Sequence, residues 1–249
     1  MNIVNFKGIN IMCVIPARAG SERIPAKNLA KLDGMTLVEH AYKAAEDTNI
    51  FSTIVISTDD KRMACGLPWV ERPADLSGPN SDISDAIWHA HSMAEERYQC
   101  KFDYVVTLQP AVPLRTPDLI KRLVDRVVSN GCKGGVTGLE IVPWIWKKVG
   151  PRAFNDWYPN PYPRSQVFQG SLRWQEINSV QVSSRECVLE RRRWGLPLAI
   201  ELLPSYAVLD IDTPNDLKRA QALFGPLMKL LREDKFEDGF VLSSINSYE

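Results

Sequence analysis

The sequence predicts an α/β domain built on a mostly parallel sheet, and three observations carry that expectation. Apolar runs at 9–15, 53–58 and 104–108 read as strands buried on both faces. Amphipathic stretches with helix-start signals lie between them. Strand and helix alternate through residue 141, the pattern that right-handed crossovers give in a parallel sheet. At 249 residues and 45% hydrophobic, the chain can bury the core of one such domain, spanning 1–249.

The first strand, 9–15, ends at Pro16, and a loop with Gly20, Pro25 and several charges follows it. Thr36 and Glu39 stand at capping-box spacing ahead of Leu37, Ala41, Ala44 and Ala45, predicting the first helix. After the strand at 53–58, Ile83, Ile87, Ala90 and Ala94 share a helical face, and 104–108 is the next strand. Thr116 and Pro117 form an N-cap and N1 pair, with Leu119, Leu123 and Val127 as the buried stripe behind them. Strands are predicted again at 134–141, 197–203 and 206–209. Thr213 then caps a last helix that Pro214 begins.

Residues 143–176 break the alternation with Pro143, Trp144, Trp146, Trp157, Tyr158, Pro161 and Tyr162. So much aromatic surface needs cover. Either it is a long loop packed on its own domain or it is a subunit interface, for which a homodimer is the natural form.

Thirty basic residues balance thirty acidic ones, so no global field recruits nucleic acid or an anionic membrane. Neither a secretory signal nor an apolar run of about 20 residues is visible, which predicts a cytoplasmic chain with no membrane association. The five cysteines lack metal-site spacing and suit reduced thiols. His40, His89 and His91 form no catalytic pattern and read as structural.

Two segments carry chemistry. The first is the loop Ile15-Pro-Ala-Arg-Ala-Gly-Ser-Glu-Arg-Ile-Pro-Ala-Lys-Asn28, placed where open parallel sheets bind ligands beyond their carboxyl ends. Gly20 allows close backbone approach, and Arg18, Arg23 and Lys27 supply cations for a polyphosphate, each contact being worth roughly 1.5–3 kcal/mol. A solvated basic loop is the competing explanation, since neither G-x-x-x-x-G-K-[ST] nor G-x-G-x-x-G is present. The second is Asp210-Ile-Asp212. If it is extended, both carboxylates share one face while Ile211 turns into the core, a pair suited to Mg²⁺. Alternatively, Asp212 only helps to start the last helix.

Five motifs in one order make a specific resemblance: R-x-G-S-x-x-I-P-x-K-N at 18–28, V-I-S-T-D-D at 55–60, R-P-A-D-L at 72–76, L-Q-P-A-V-P-L-R at 108–115 and D-I-D-T-P-N-D-L at 210–217. Together they resemble the acylneuraminate (CMP-nonulosonic acid) cytidylyltransferases, which are related to the CMP-Kdo synthetases. The resemblance implies a Rossmann-like nucleotidyltransferase three-layer sandwich, homodimeric, with 143–176 as a dimerisation extension. It implies CTP and an acidic sugar as substrates, with release of pyrophosphate.

Carried over motif by motif, the resemblance makes Arg18, Ala19, Gly20, Ser21, Lys27 and Asn28 nucleotide contacts. Arg72 and Ser81 become a cytosine or ribose site, and Asp210 and Asp212 the magnesium ligands. Gln109, Arg164, Gln166 and Asn178 are implied as sugar contacts, Arg164 as a carboxylate clamp. The chain departs from the family at Glu22-Arg23, where the cation is displaced by one residue, at the short 60–72 stretch, at Pro79-Asn-Ser-Asp82, and at Val182, where a sugar-pocket tyrosine is usual. A D-x-D glycosyltransferase and a non-catalytic nucleotide-binding relative are the alternative functions.

Overall fold

The computed structural model describes residues 6–141, 146–149, 152–155, 173–234 and 239–243. Strand β1 (Ile11–Pro16) shows why the chain forms three layers. Its Ile11, Cys13 and Ile15 enter one core, and its Met12 and Val14 enter another on the opposite face. A strand with apolar residues at every position has no solvent side, so helices must cover both faces of the sheet.

The first core is closed by helix α1 (Leu37–Glu46), capped by the Thr36/Glu39 box, and by helix α3 (Pro117–Ser129), capped by Thr116. The last helix, α5 (Pro214–Glu233), joins them through Ala220, Phe224 and Leu231. The second core lies under helix α2 (Ile83–Tyr98), through Ile87, Ala90 and Ala94, and under the short helix α4 (Arg185–Leu189) through Val188.

The remaining strands, in chain order, are β2 (Lys31–Leu32) and β3 (Met35–Thr36), a small hairpin; β4 (Thr53–Thr58); β5 (Trp69–Glu71); β6 (Tyr104–Thr107); and β7 (Gly134–Ile141). They continue with β8 (Trp146–Val149) and β9 (Arg152–Asn155), paired antiparallel apart from the main sheet, then β10 (Arg173–Ser184), β11 (Leu198–Leu203) and β12 (Phe240–Leu242). Among the described residues the main sheet has eight strands, in the order β12-β11-β7-β10-β6-β1-β4-β5. Only β10 and the edge strand β12 run against the others. The predicted fold class, a three-layer α/β sandwich with a mostly parallel sheet, is the one observed.

Two expectations are corrected. Residues 206–209 are not a strand. Ser205–Ala207 form a single 3-10 turn, in which the Ala207 amide bonds the Pro204 carbonyl at 2.8 Å. Proline has no N–H for a ladder, so the chain turns where β11 ends. The irregular region also stops earlier than 176, because 173–176 already belong to β10. There Glu176 stands opposite Gly138, and a register shift follows between Ile177 and Gln181.

Candidate active site

The loop after β1 is tied down where it leaves the strand. The Ala17 amide bonds Ser57 in β4 at 2.9 Å, and the Ala19 amide bonds the Asp59 carboxylate at 2.8 Å. Ile24 anchors the middle in the core, and Ala26 takes a left-handed φ of 52° to start the turn Lys27–Leu29. The buried Asn28 amide donates to the Arg18 carbonyl at 2.9 Å, holding the two ends of the loop together. A Cβ on Gly20 would meet nothing within 4 Å, so the space above this backbone is open to a ligand.

The loop faces a cavity of about 260 Å³ whose lining includes Arg18, Lys27, Asn28, Arg72, Ser81 and Gln109. Six residues singled out from the sequence are thus brought to one hollow beyond the carboxyl ends of β1, β4 and β6. Arg18 donates to the Gly78 carbonyl at 2.6 Å. Arg72 is buried against Ser57, with Nε to the hydroxyl at 3.1 Å and Nη2 to the carbonyl at 2.6 Å. Burial lowers its pKa to about 10. Asp59 opposes that shift and the neighbouring Arg18 charge adds to it. Two guanidiniums kept close in a hollow favour an anion between them.

The aspartate segment docks onto this hollow through main-chain bonds. Ile211 is fully buried, its amide bonds the Ala111 carbonyl at 2.9 Å, and its carbonyl accepts from Lys27 Nζ at 2.7 Å. Lys27 Nζ also reaches Asp212 Oδ1 at 3.2 Å, and Arg23 meets Asp212 Oδ2 at 3.3 Å. Arg23 therefore belongs to the aspartate side of the site and is absent from the cavity lining. Loss of hydration and then the adjacent Asp212 charge hold the Asp210 carboxyl above the usual carboxylate range, with Lys27 acting against them.

Two carboxylates that repel one another fit a hard divalent cation between them. Among the described residues no cluster of three His, Cys, Asp or Glu side chains forms a metal cage. Asp210 and Asp212 are the residues here that could hold such a cation, one that takes its other ligands from water or substrate oxygens.

Arg164 and Gln166 lie outside the described residues, as does most of 143–172. Asn178 does not join the cavity lining. Its side-chain oxygen instead accepts a hydrogen bond from Arg193. Val182, at the position of the usual tyrosine, is fully buried in the core. The sequence reading passed over Asp59, although it lies within the V-I-S-T-D-D motif, and Asp216, whose carboxylate takes the Thr213 amide at 2.7 Å and the Asp212 amide at 3.2 Å.

It also passed over Arg115, which is buried and donates through Nη2 to the carbonyls of Gln109 and Val112. Its Nε and Nη1 have no partner among the described residues, and burial lowers its pKa to about 9. Arg115 therefore latches the 109–112 loop that carries Gln109 and receives Ile211. Replacing a partly unsatisfied buried charge by an apolar group of similar size is often neutral or stabilising. Arg115→Met relieves a partly unsatisfied buried charge but takes the donor from the Gln109 and Val112 carbonyls, so the melting temperature is expected to move little while kcat/KM falls by about tenfold, as an unlatched loop misplaces bound groups. Thermal melts beside steady-state kinetics check both halves.

The amino-acid sequence matches the family model described as Cytidylyltransferase over residues 12–138. The CMP-N,N'-diacetyllegionaminic acid synthase of Legionella pneumophila subsp. pneumophila is 30% identical over 241 residues, covering 90% of this chain and 99% of that protein. The 3-deoxy-manno-octulosonate cytidylyltransferase of Anaeromyxobacter sp. (strain Fw109-5) is 33% identical over 239 residues, covering 86% of this chain and 96% of that one. A solved structure of CMP:2-keto-3-deoxy-manno-octonic acid synthetase complexed with CTP matches with a TM-score of 0.64 at 17% identity, over 87% of this chain and 99% of that one, a likeness of fold.

Proposed function

The chain belongs to the cytidylyltransferase family, and from that premise we propose that it activates an acidic 2-keto sugar with CTP, giving the CMP-sugar and pyrophosphate. The observation that carries this reading is the cavity itself. It sets Arg18, Arg72 and Lys27 around one hollow, with Gln109 on its wall and the aspartate pair latched to it through Lys27.

In this reading the loop amides and cations around Gly20 hold the triphosphate, and Arg72 and Ser81 face the cytidine end. Gln109 helps to place the sugar. The anomeric hydroxyl then attacks the α-phosphorus in line and pyrophosphate leaves, so the work is positioning and charge stabilisation with no covalent nucleophile required. Asp210 and Asp212 would hold Mg²⁺, which would supply positive charge to offset that of the phosphates and of the leaving group. Arg23 and Lys27 keep Asp212 in place and offset its charge before substrate arrives. A homodimer that uses part of 143–176, and a cytoplasmic location, complete the proposal.

CTP-dependent pyrophosphate release measured across sialic, legionaminic, pseudaminic and Kdo-type acids tests it. Release with at least one acid, dependent on Mg²⁺, is the expected result. CTP binding by calorimetry with no release from any acid would point instead to a nucleotide sensor.

A further inference from the structure

Next to the nucleotide cavity lies a second, shallower depression of about 410 Å³, lined by Asp82, Ser84, Glu176 and the run Arg191 to Trp194. Asp82 lines both hollows, so they meet at the N-terminal end of α2, where the Asp82 carboxylate caps the Ser84 amide at 2.8 Å. The second hollow is therefore within reach of a molecule whose reacting end lies in the first.

Arg193 is held at its main chain and at its side chain. Its carbonyl accepts from Gln181 Nε2 at 2.7 Å and from the Ser183 hydroxyl. Its Nε donates to Gln181 Oε1 at 3.1 Å, and its Nη2 donates to Glu176 Oε1 at 2.7 Å and to Asn178. The register shift in β10 between Ile177 and Gln181 lets 176, 178 and 181 converge on one guanidinium. Bulges re-aim side chains in this way. Buried Gln181 and Ser183 spend their polar atoms on Arg193 and on one another.

This arrangement leaves free groups of both polarities. Nη1 of Arg193 has no bond among the described residues, and Glu176 meets Arg193 through Oε1 alone, leaving Oε2 open. Arg193 and Glu176 are about one-third exposed, at 34% and 32%, so both are fixed yet reachable. Of the three guanidiniums in the lining, Arg191 is paired with Asp85, Arg192 with Glu190 and Arg193 with Glu176, so the hollow carries no excess of positive charge and suits the neutral, hydrogen-bonding part of a ligand. Donors and acceptors held in place before binding suit a polyhydroxylated chain, whose groups both donate and accept.

We propose that this depression receives the exocyclic chain of the acidic sugar, Arg193 donating to its hydroxyl or acylamido groups and Glu176 accepting from them. Arg193 thereby selects sugars by what they carry beyond the ring. Asn178 acts on the sugar through Arg193, as a positioning residue. The proposal rests on the cytidylyltransferase reading and adds to it the part of the substrate that is read.

Each acid that supports turnover is compared with a synthetic analogue in which the exocyclic chain is cut back to a single hydroxymethyl group. In the wild-type protein the truncated sugar is expected to lose about tenfold or more in kcat/KM, since a site built to hydrogen-bond a group rejects the analogue lacking it. In Arg193→Met that ratio should fall towards one, with the KM for the intact sugar raised and the KM for CTP unmoved. If Arg193→Met does not fold, Arg193→Lys keeps the charge and loses the fork, and the ratio should again shrink. An equal penalty for truncation in wild type and variant overturns the proposal while leaving the cytidylyltransferase reading intact. No pyrophosphate from any acid, with CTP still binding, overturns that reading and this pocket with it.

Discussion

Asp210→Asn and Asp212→Asn are each expected to lower CTP-dependent pyrophosphate release by roughly 10²–10³-fold, the several kcal/mol that a bound metal contributes to charge stabilisation. Neither change should disturb the fold, because the element that packs is Ile211, fully buried between them. The two variants should differ in stability before ligand is added. Asp210 is held above the usual carboxylate range by lost hydration and by Asp212. A group whose pKa is raised on folding contributes stability that is fully present below its unfolded value and is lost as pH rises through the folded value. At neutral pH the free protein therefore carries a repulsion that Asp210→Asn removes, and that variant should melt higher than wild type. The difference should shrink as pH falls into the ordinary carboxylate range. Asp212→Asn instead loses its contacts with Lys27 and Arg23 and should not gain. Melts across pH 4–8 without metal, beside turnover with Mg²⁺, check both halves. Turnover within threefold of wild type in either variant would sink the metal assignment.

The site was legible in the sequence where chemistry and spacing coincide. The cationic loop showed itself by composition, and the aspartate pair by a two-residue period that puts Ile211 inward, as its burial and its bonds to Ala111 and Lys27 show. The helices announced themselves through caps: Thr36, Thr116 and Thr213 each accept the backbone amide three residues on. Such signals are local, so one sequence suffices to read them.

What escaped the sequence is what depends on distant partners. Strand β10 inserts antiparallel between β6 and β7, and its pairing is set by residues far away in the chain. Its inward pattern is also disguised. Val180 and Val182 enter one core, but on the other face Gln181 and Ser183 are buried against Arg193, so both faces are covered although only one is apolar. Arg115 escaped for a similar reason. A charged residue in a proline-rich stretch reads as surface, and only the loop folded over it shows that it is buried. Both misses bear on function, since one shapes the proposed sugar pocket and the other holds the Gln109 loop.

Lys27→Met should have an effect comparable to the loss of an aspartate, through a different parameter. The Lys27 side chain is 17% exposed and serves two structures at once: it lines the cavity, and its ammonium binds the Ile211 carbonyl and Asp212. Methionine keeps the buried stem and removes the charge. A lost charge-assisted phosphate contact costs about 1.5–3 kcal/mol, and the Ile211 carbonyl left unbonded adds about 1–3 kcal/mol. The sum corresponds to roughly 10²–10⁴ in kcat/KM. The KM for CTP should rise, since the contact exists in the ground state, and kcat should fall as well, since Ile211 sets where both aspartates stand. Lys27→Arg separates the two contributions. Its charge should recover much of the CTP affinity, while a planar fork in place of a compact ammonium leaves kcat depressed. A Lys27→Met enzyme whose KM for CTP is unchanged would mean that this ammonium braces the aspartates and never touches the triphosphate.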